Sequence, residues 1–334
     1  MIVSRTPFRI SFFGGGTDYP AWYREHGGAV MGTTINKYCY LSLRRLPPFF
    51  KHRHRIVYSK VECVDAIEQI EHPSVRAVFT SHQVKKGLEL HHDGDLPARS
   101  GLGSSSSFTI GLINALRALS GKMSSPGFLA REAIRIEQDV IGEAVGSQDQ
   151  IWAAFGGTNV ITINPDDSFV VQPMIMSKER REMFQSHLML FFTGVSRIAS
   201  VIAVDKIANL KDRSTELRAM RAMVDEAAEI LTDSKRPIAE FGSLLHENWS
   251  MKRCLADNVA TPFIDEIYQA ARDAGALGGK ILGAGGGGFV LLFVKPERQA
   301  SVRERLKDLI SVDFTVGSPG SKIVVYEPSG LENS

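Results

Sequence analysis

A glycine- and serine-rich segment stands directly before an apolar stretch of this chain. It is made of Gly101, Leu102, Gly103, Ser104, Ser105, Ser106 and Ser107, and the apolar stretch follows from Phe108 to Leu119. Glycines let backbone N–H groups approach a ligand closely, and a helix start adds unpaired N–H donors at the positive end of its dipole. Serine hydroxyls can bind phosphate or Mg²⁺. The segment predicts a phosphate-binding loop. A flexible linker is the alternative, although linkers rarely run straight into a buried helix.

A second glycine-rich segment lies nearer the end of the chain. Gly283-Ala284 is followed by four consecutive glycines, Gly285 to Gly288, between two apolar runs. A hairpin turn needs one or two glycines, and each further glycine costs conformational entropy. The surplus predicts that a ligand or another backbone segment comes very close, with Gly285 and Gly286 as candidate substrate-binding residues. A merely tight hairpin is the alternative.

Polar residues follow the first predicted strand. Arg9 lies within that strand, and the segment Gly14-Gly15-Gly16-Thr17-Asp18 comes after it. An arginine can offset charge on a transferring phosphoryl group, and an aspartate can accept hydrogen bonds from substrate hydroxyls. Gly16, Thr17 and Asp18 are therefore candidate substrate-binding residues, although Asp18 by itself is more typical of a turn.

Two carboxylates are placed beside apolar neighbours. Glu137 shares a helical stripe with Ile134 and Ile141, and Asp149 stands just before the apolar run Ile151 to Phe155. A buried carboxylate needs a partner, a metal or a catalytic use. Position alone favours a salt bridge for Glu137 and a helix cap for Asp149.

Together the three glycine-containing segments resemble the motifs of the GHMP kinase family, which includes galactokinase, homoserine kinase and mevalonate kinase. Thr6 to Tyr19 is similar to the first motif, Pro97 to Ser107 to the ATP phosphate loop, and Lys280 to Phe289 to the third. The resemblance implies an α+β fold with two domains. The N-terminal one would be like ribosomal protein S5 domain 2 and the C-terminal one ferredoxin-like, with the active site between them. It also implies ATP and Mg²⁺ as cofactors and phosphoryl transfer to an alcohol group.

The resemblance also implies roles for single residues. Asp149 matches the catalytic aspartate, and Arg9 matches the basic residue paired with it. Ser105 and Glu137 match the two residues that hold Mg²⁺, and the loop from Gly101 to Ser107 would cradle the nucleotide phosphates.

The first motif departs from the galactokinase form, because Gly14-Gly15-Gly16 replaces Gly-Glu-His. This form is similar to the family branch that phosphorylates the anomeric hydroxyl of D-glycero-D-manno-heptose 7-phosphate, which we expect as the small-molecule sugar phosphate substrate. Fucose or galactose phosphorylation, and a non-catalytic sugar or nucleotide sensor, are the alternatives. Arg197 is the candidate ligand of the 7-phosphate. The basic cluster from Arg44 to Arg55 is better interpreted as a solvated face.

The whole chain limits the other possibilities. It has 334 residues and a formal net charge of +2, which suits two domains and gives no electrostatic case for nucleic acid. No apolar run is long enough to predict a membrane span, and residues Met1 to Arg9 resemble a strand and not a signal peptide. Three widely spaced cysteines favour a reducing compartment, so a cytoplasmic protein is expected. A homodimer is compatible with the sequence.

The elements that must position these residues can be predicted in outline. Strands are expected over Phe8–Phe13, Ala29–Ile35 and Lys37–Leu43, and a buried helix over Phe108–Leu119. Ser125-Pro126 and Thr261-Pro262 each predict a capped helix start. Val64–Lys86 is expected to be helical with a break near Pro73. We place the two domains at residues 1–175 and 176–330.

Overall fold

The computed structural model describes residues 1–195, 207, 210, 212–256 and 259–329. Its strands are β1 (Ile2–Phe13), β2 (Gly28–Arg45), β3 (His54–Val57), β4 (Val61–Val64), β5 (Leu88–Gly94), β6 (Thr158–Ile163), β7 (Phe169–Pro173), β8 (Leu188–Phe192), β9 (Ala276–Ile281), β10 (Phe289–Val294), β11 (Ile310–Ser311) and β12 (Lys322–Tyr326). Its helices are α1 (Pro20–His26), α2 (Pro73–Ser81), α3 (Ser104–Leu119), α4 (Pro126–Arg135), α5 (Gln148–Phe155), α6 (Lys178–Ser186), α7 (Ser214–Thr232), α8 (Ala239–Arg253), α9 (Pro262–Asp273) and α10 (Gln299–Arg305).

The strands form two sheets, which confirms the α+β class. The first sheet has the order β12-β1-β2-β5-β3-β4, with β6 beside β2 and β7 beside β6. The second has the order β11-β8-β10-β9. Strand β12 pairs antiparallel with β1, so residues close to the end of the chain complete the first sheet. The division into domains at residues 1–175 and 176–330 therefore stays a prediction. Strand β12, from the second range, lies in the sheet formed by the first.

Helix α3 is the element that presents the phosphate loop. Twelve of its residues are buried, as its nearly continuous apolar sequence predicts. Two other helix starts also follow the sequence: the Ser125 hydroxyl accepts from the N–H of Phe128, and the Thr261 hydroxyl from that of Ile264. Capping of this kind stabilises a helix by about 1 kcal/mol.

An aromatic cluster joins the two sheets into one core. The ring of Phe12 on β1 lies 5.5 Å from that of Phe184 and 5.5 Å from that of Phe241, both edge to face. Phe241 in turn lies 5.3 Å from Phe293 on β10. This packing fixes the second sheet against the end of β1, where the polar segment from Gly14 to Asp18 begins.

Several elements differ from the expectation. The two strands predicted over residues 29–43 are one continuous strand, β2. The region from Val64 to Lys86 contains the end of β4, a short 3₁₀ turn and the nine-residue α2. Pro73 is the first residue of α2, so no helix continues through it from the preceding residues. Within the described ranges, no helix combines the length and apolarity that crossing a bilayer requires.

Candidate active site

Arg9 and Asp149 form a two-pronged ion pair. The Nε of Arg9 donates to Oδ1 of Asp149 over 2.7 Å, and its Nη2 donates to Oδ2 over 2.8 Å. The Arg9 side chain is 6% exposed and that of Asp149 26% exposed. Such parallel bonds fix a carboxylate more strictly than a single contact does. The pair therefore offers a rigidly held carboxylate that a small molecule can still reach.

The phosphate loop lies directly against this pair. The backbone N–H of Arg9 donates to the carbonyl of Leu102 over 3.0 Å, and its Nη1 donates to the carbonyl of Gly101. Gly103 has a φ of +73°, and a Cβ there would lie 3.2 Å from Cγ of Arg9 and 3.4 Å from Cγ of Asp149. Glycine at 103 thus lets the start of α3 approach the ion pair closely.

Glu137 lies beneath the loop on a single π-helical turn, Ile136–Val140, that follows α4. Its side chain is buried, and Oε2 accepts from the hydroxyl of Ser106 over 2.8 Å and from Nε2 of Gln150 over 2.5 Å. Burial raises the pKa of Glu137 to about 7, and its polar neighbours Thr109, Ser106 and Gln150 oppose this rise only in part. Its Oε1 has no hydrogen-bond partner among the described residues. A buried carboxylate oxygen left without a partner is the kind of group that a bound cation would complete.

The serine that contacts Glu137 is Ser106, and not Ser105. The Ser105 side chain is exposed at the first turn of α3, whereas Ser106 is buried. The other serines also have separate uses, because Ser107 donates to the carbonyl of Pro7 and Ser104 accepts from the N–H of Arg99. The structure therefore brings Ser106, Gln150 and Glu137 together and leaves Ser105 facing outward.

Replacing these two serines separates their roles. Ser106→Ala removes a buried hydrogen bond to a carboxylate, so we expect unfolding free energy to fall by about 1.5–3 kcal/mol in urea denaturation. Ser105→Ala removes an exposed hydroxyl and is expected to leave stability within about 0.5 kcal/mol of wild type. Equal stability losses in the two variants would contradict this arrangement.

Thr17 and Asp18 are tied into the fold. Thr17 is fully buried, and its hydroxyl donates to the carbonyls of Gly14 and Ala29. The Thr17 side chain thus stabilises the glycine turn, and direct contact with a sugar hydroxyl stays a prediction for Thr17. Asp18 accepts from the N–H of Gly16 over 2.9 Å and from Nε2 of Gln148 over 2.8 Å.

The Asp18 bonds connect the first segment to the residue before Asp149. A Cβ at Gly146 would lie 1.9 Å from Oδ2 of Asp18, so a larger residue there would displace the Asp18 carboxylate from its present position. The Gly16 N–H is used by Asp18 itself. Asp18 and Gly16 are thus placed to hold the Asp149 loop, and direct contact with a sugar stays a prediction for both.

The second glycine-rich segment approaches another backbone, one of the two possibilities that its sequence left open. A Cβ at Gly283 would lie 2.5 Å from Cα of Gly101, and one at Gly288 would lie 2.2 Å from the carbonyl oxygen of Ser100. Gly285 and Gly286 are buried and lie against Val259, whose carbonyl accepts from the Gly286 N–H. The segment therefore supports the phosphate loop from behind, and substrate contact by Gly285 and Gly286 stays a prediction.

Alanine at Gly288 tests this close approach. The position has a φ of +92° in addition to the 2.2 Å contact, so Gly288→Ala should cost at least about 2 kcal/mol of unfolding free energy, measured by urea denaturation. Gly121→Ala is the matched control, because Gly121 has a φ of +69° with nothing within 4 Å. It should lose only about 1 kcal/mol. A similar loss at both positions would show that crowding against Ser100 is unimportant.

Two buried lysines that the sequence analysis missed hold the same segment. Lys252 on α8 donates to the carbonyls of Ile281 and Gly283 over 2.8 and 2.7 Å, and Lys280 on β9 donates to the carbonyl of Phe12 over 2.6 Å. Buried ammonium groups are costly unless several acceptors surround them. These two connect the glycine-rich segment to α8 and to the end of β1.

Two protein-family models match the part of the chain that contains this site and the region that follows it. The family model described as GHMP kinases N terminal domain matches residues 62–157, and the model described as GHMP kinases C terminal matches residues 223–311. The first range contains the phosphate loop, Glu137 and Asp149, and the two ranges together cover more than half of the chain.

The chain is a member of the GHMP kinase family. It is therefore a phosphotransferase, with ATP as the phosphate donor of the family.

This GHMP kinase is similar to several characterised relatives along its length. It is 29% identical over 321 residues to D-glycero-alpha-D-manno-heptose 7-phosphate kinase of Campylobacter jejuni, with 92% of this chain and 93% of the relative covered. It is 24% identical to the bifunctional fucokinase/GDP-fucose pyrophosphorylase of Arabidopsis thaliana, of which it spans only 31%. A solved D-glycero-D-manno-heptose 1-phosphate kinase from Bacteroides thetaiotaomicron shares the fold, with a TM-score of 0.78, 23% identity and 96% and 98% of the two chains covered.

Two further residues of this GHMP kinase bear on the site. Tyr19 follows Asp18 in the sequence, and burial raises the pKa of its phenol far above the usual range. The charges of Asp18 and Asp149 raise this pKa further, and the charge of Arg9 lowers it. The sequence indicated a role for Tyr19 only through its position at the end of the first motif, Thr6 to Tyr19. Arg197, the candidate for a substrate phosphate, lies outside the described residues.

Proposed function

We propose that this kinase transfers the γ-phosphoryl group of ATP to the anomeric hydroxyl of D-glycero-D-manno-heptose 7-phosphate and forms the 1,7-bisphosphate. The observation that carries the proposal is the Arg9–Asp149 ion pair held against the phosphate loop at Gly103. The 29% identity to the Campylobacter heptose 7-phosphate kinase over nearly the whole chain favours the heptose substrate, because the fucokinase and galactokinase matches are weaker or cover less. The intact ion pair also argues against a sensor without activity.

Asp149, Arg9 and the phosphate loop have different roles in the proposed phosphoryl transfer. Asp149 accepts the proton of the attacking hydroxyl as that oxygen forms its bond to the γ-phosphorus, the bond from this phosphorus to the β,γ-bridging oxygen breaks, and ADP leaves. Arg9 orients the Asp149 carboxylate through two hydrogen bonds and offsets negative charge that develops during transfer. The amide groups from Gly101 to Ser107 and the N-terminus of α3 receive the nucleotide phosphates.

Magnesium is part of the proposal, and the donor set fits it. The buried, unpartnered Oε1 of Glu137 offers one oxygen ligand. Ser105 faces outward and does not contact Glu137 in this structure, so its hydroxyl stays a proposed second ligand at the edge of the loop. Among the described residues, no three His, Cys, Asp or Glu side chains cluster so as to bind a metal alone, so nucleotide oxygens and water would complete the coordination. When bound, Mg²⁺ would offset the charge of the phosphates.

The same proposal includes the position of the active site in the molecule and the compartment of the reaction. We place catalysis in the cleft between units made by residues 1–175 and 176–330, in the cytoplasm where ATP is available.

A substrate comparison tests the function. ADP formation is measured with heptose, heptose 7-phosphate, fucose, galactose and mevalonate as acceptors at equal concentration. Heptose 7-phosphate should give the highest kcat/KM, by at least about tenfold over unphosphorylated heptose, because one charge-assisted phosphate contact contributes more than about 1.4 kcal/mol. A higher kcat/KM for fucose or galactose would replace the heptose assignment, and no ADP formation with any acceptor would remove it.

Arg197 is the residue we propose for the 7-phosphate. Arg197→Ala should raise KM for heptose 7-phosphate by about tenfold or more and leave KM for unphosphorylated heptose unchanged. Steady-state kinetics with both sugars measures the difference. Equal effects on the two substrates would show that Arg197 does not bind the phosphate.

A further inference from the structure

A cationic cavity of about 420 Å³ lies at the far end of β5 from the phosphate loop. Its lining includes Phe50, Lys51, Arg53, Asp65, Lys85 and Lys86. The cavity adjoins Gly87, directly before β5, whereas the phosphate loop follows β5 in the chain. Seven strand residues separate the two ends, which corresponds to about 20 Å. The cavity is therefore separate from the site around Asp149.

The walls of this cavity are fixed by backbone contacts. The N–H of Leu46 donates to the carbonyl of Gly87 over 3.0 Å, and the N–H of Arg53 donates to the carbonyl of Val64 over 3.1 Å. The guanidinium of Arg53 donates to the carbonyl of Lys85. A Cβ at Gly87 would lie 2.4 Å from the carbonyl oxygen of Arg53, so the two loops pack as closely as glycine allows. These contacts fix the positions of the loops that form the cavity, so its shape is defined by the fold.

Four cationic side chains of the lining have no ion-pair partner in the part of the chain that the structure describes. Lys51, Arg53, Lys85 and Lys86 are exposed, and in the part of the chain that the structure describes none of them has a carboxylate within ion-pair distance. Asp65 is the one acidic residue among the described lining residues. Four cationic side chains around one concavity predict an anionic ligand.

The neighbouring Arg44 and Arg55 differ from the four unpaired cations of the cavity. Arg44 and Arg55 both pair with the buried carboxylate of Glu89 on β5, the Arg55 contact at 3.2 Å. These two arginines therefore have a structural partner. Lys51 and Arg53 line the cavity, and the pairing with Glu89 does not involve them.

An aromatic side chain completes the cavity. Phe50 is 44% exposed and belongs to the lining, with its ring 5.4 Å from that of His52. An exposed phenyl face beside cationic groups suits a ligand that joins a planar ring to phosphates, since nucleobases stack on aromatic side chains. The volume lies in the range of small-molecule sites, and the concave shape favours such a ligand over a flat bilayer. We propose that this cavity binds a nucleoside diphosphate as a second nucleotide site, distinct from the phosphate loop.

Counting bound nucleotide tests the proposal. Equilibrium dialysis with radiolabelled ADP should find two ADP per wild-type chain. The double variant Lys85→Glu/Lys86→Glu should weaken one of the two sites by at least about tenfold and leave kinase activity and thermal melting unchanged. Lys178→Glu/Lys307→Glu, a charge reversal at two exposed lysines of α6 and the region after α10, is the matched control and should keep both sites. One ADP per wild-type chain, or two sites of unchanged affinity in the Lys85/Lys86 variant, would overturn the proposal.

A second variant tests the class of ligand. Phe50→Ala should weaken ADP at this site by at least about fivefold and leave inorganic pyrophosphate binding unchanged, because a stacked base contributes about 1 kcal/mol or more. Equal loss for ADP and pyrophosphate would reject the nucleoside. If the wild type instead sediments with vesicles of phosphatidylserine and phosphatidylcholine, and the Lys85/Lys86 reversal abolishes this while the ADP count stays at one, the surface contacts a membrane and the proposal is wrong.

Discussion

Replacing Asp149 with asparagine is expected to lower kcat by about two to four orders of magnitude. The amide group keeps the size of the native carboxylate but cannot accept a proton from the attacking hydroxyl. The Arg9 contact also weakens, because one of the two oxygens that accept from Nε and Nη2 becomes an amide NH2, which cannot accept a hydrogen bond. KM for both substrates should change little, because the phosphate loop and the sugar contacts remain. Initial-rate kinetics over a range of ATP and sugar concentrations measures both parameters.

Asp139→Asn is the control for this variant. Asp139 is exposed on the π-helical turn next to Glu137, so the substitution makes the same chemical change away from the ion pair. Its kcat should stay near the wild-type value. If Asp149→Asn also turned over near the wild-type rate, Asp149 would not be a general base, and the Arg9–Asp149 pair would have only a structural role.

Glu137→Gln should abolish most activity and at the same time make the metal-free protein more stable above neutral pH. Loss of the anionic ligand should reduce kcat/KM by about two to three orders of magnitude, since a bound metal supplies several kcal/mol of charge stabilisation. Raising Mg²⁺ should restore only part of it. The stability effect has the opposite sign, because burial raises the pKa of Glu137 to about 7 and so disfavours its ionised form in the fold.

The pH dependence of stability follows from that raised pKa. The unfolded chain loses this proton near pH 4.5, whereas the folded chain keeps it to about pH 7. The contribution of Glu137 is therefore fully present below pH 4.5 and is lost as the pH rises through 7, which amounts to about 3 kcal/mol at most. Urea denaturation of the metal-free protein at about pH 5 and about pH 8 should show this loss in wild type and not in Glu137→Gln. Glu143→Gln controls for removing a neighbouring carboxylate, and should keep the activity that Glu137→Gln loses.

A parallel pH trend in wild type and Glu137→Gln would contradict this account of the buried carboxylate. Unchanged magnesium dependence in Glu137→Gln would separately remove Glu137 from the metal site.

The sequence predicts well where local chemistry determines the structure. The capped starts at Ser125 and Thr261 need only a hydroxyl and a following proline, and both are found. The buried helix after the phosphate loop follows from its apolar composition. Surplus glycine between Gly283 and Gly288 predicts a close approach of backbone or ligand, and the structure identifies the backbone as that of Ser100 and Gly101.

The sequence predicts poorly where distant groups meet. Strand β5 has no clear signal, because its sequence, Leu-Glu-Leu-His-His-Asp-Gly, alternates only in part and its partner β2 lies more than 40 residues earlier. The π-helical turn at Ile136–Val140 shifts by one residue which side chains point to the interior, and no local sequence pattern predicts it. Lys280 finds the carbonyl of Phe12 across 268 residues, which no local pattern indicates. The choice between Ser105 and Ser106 likewise depends on the direction in which α3 enters the core.

Phosphorus–proton NMR of the product formed from ATP and heptose 7-phosphate tests the central claim most directly. A new phosphorus resonance coupled to the anomeric proton of the sugar should appear with wild type and be nearly absent with Asp149→Asn over the same time. A product phosphorylated at another carbon, or the same rate of product formation in both proteins, would contradict an anomeric kinase that works through the Arg9–Asp149 pair.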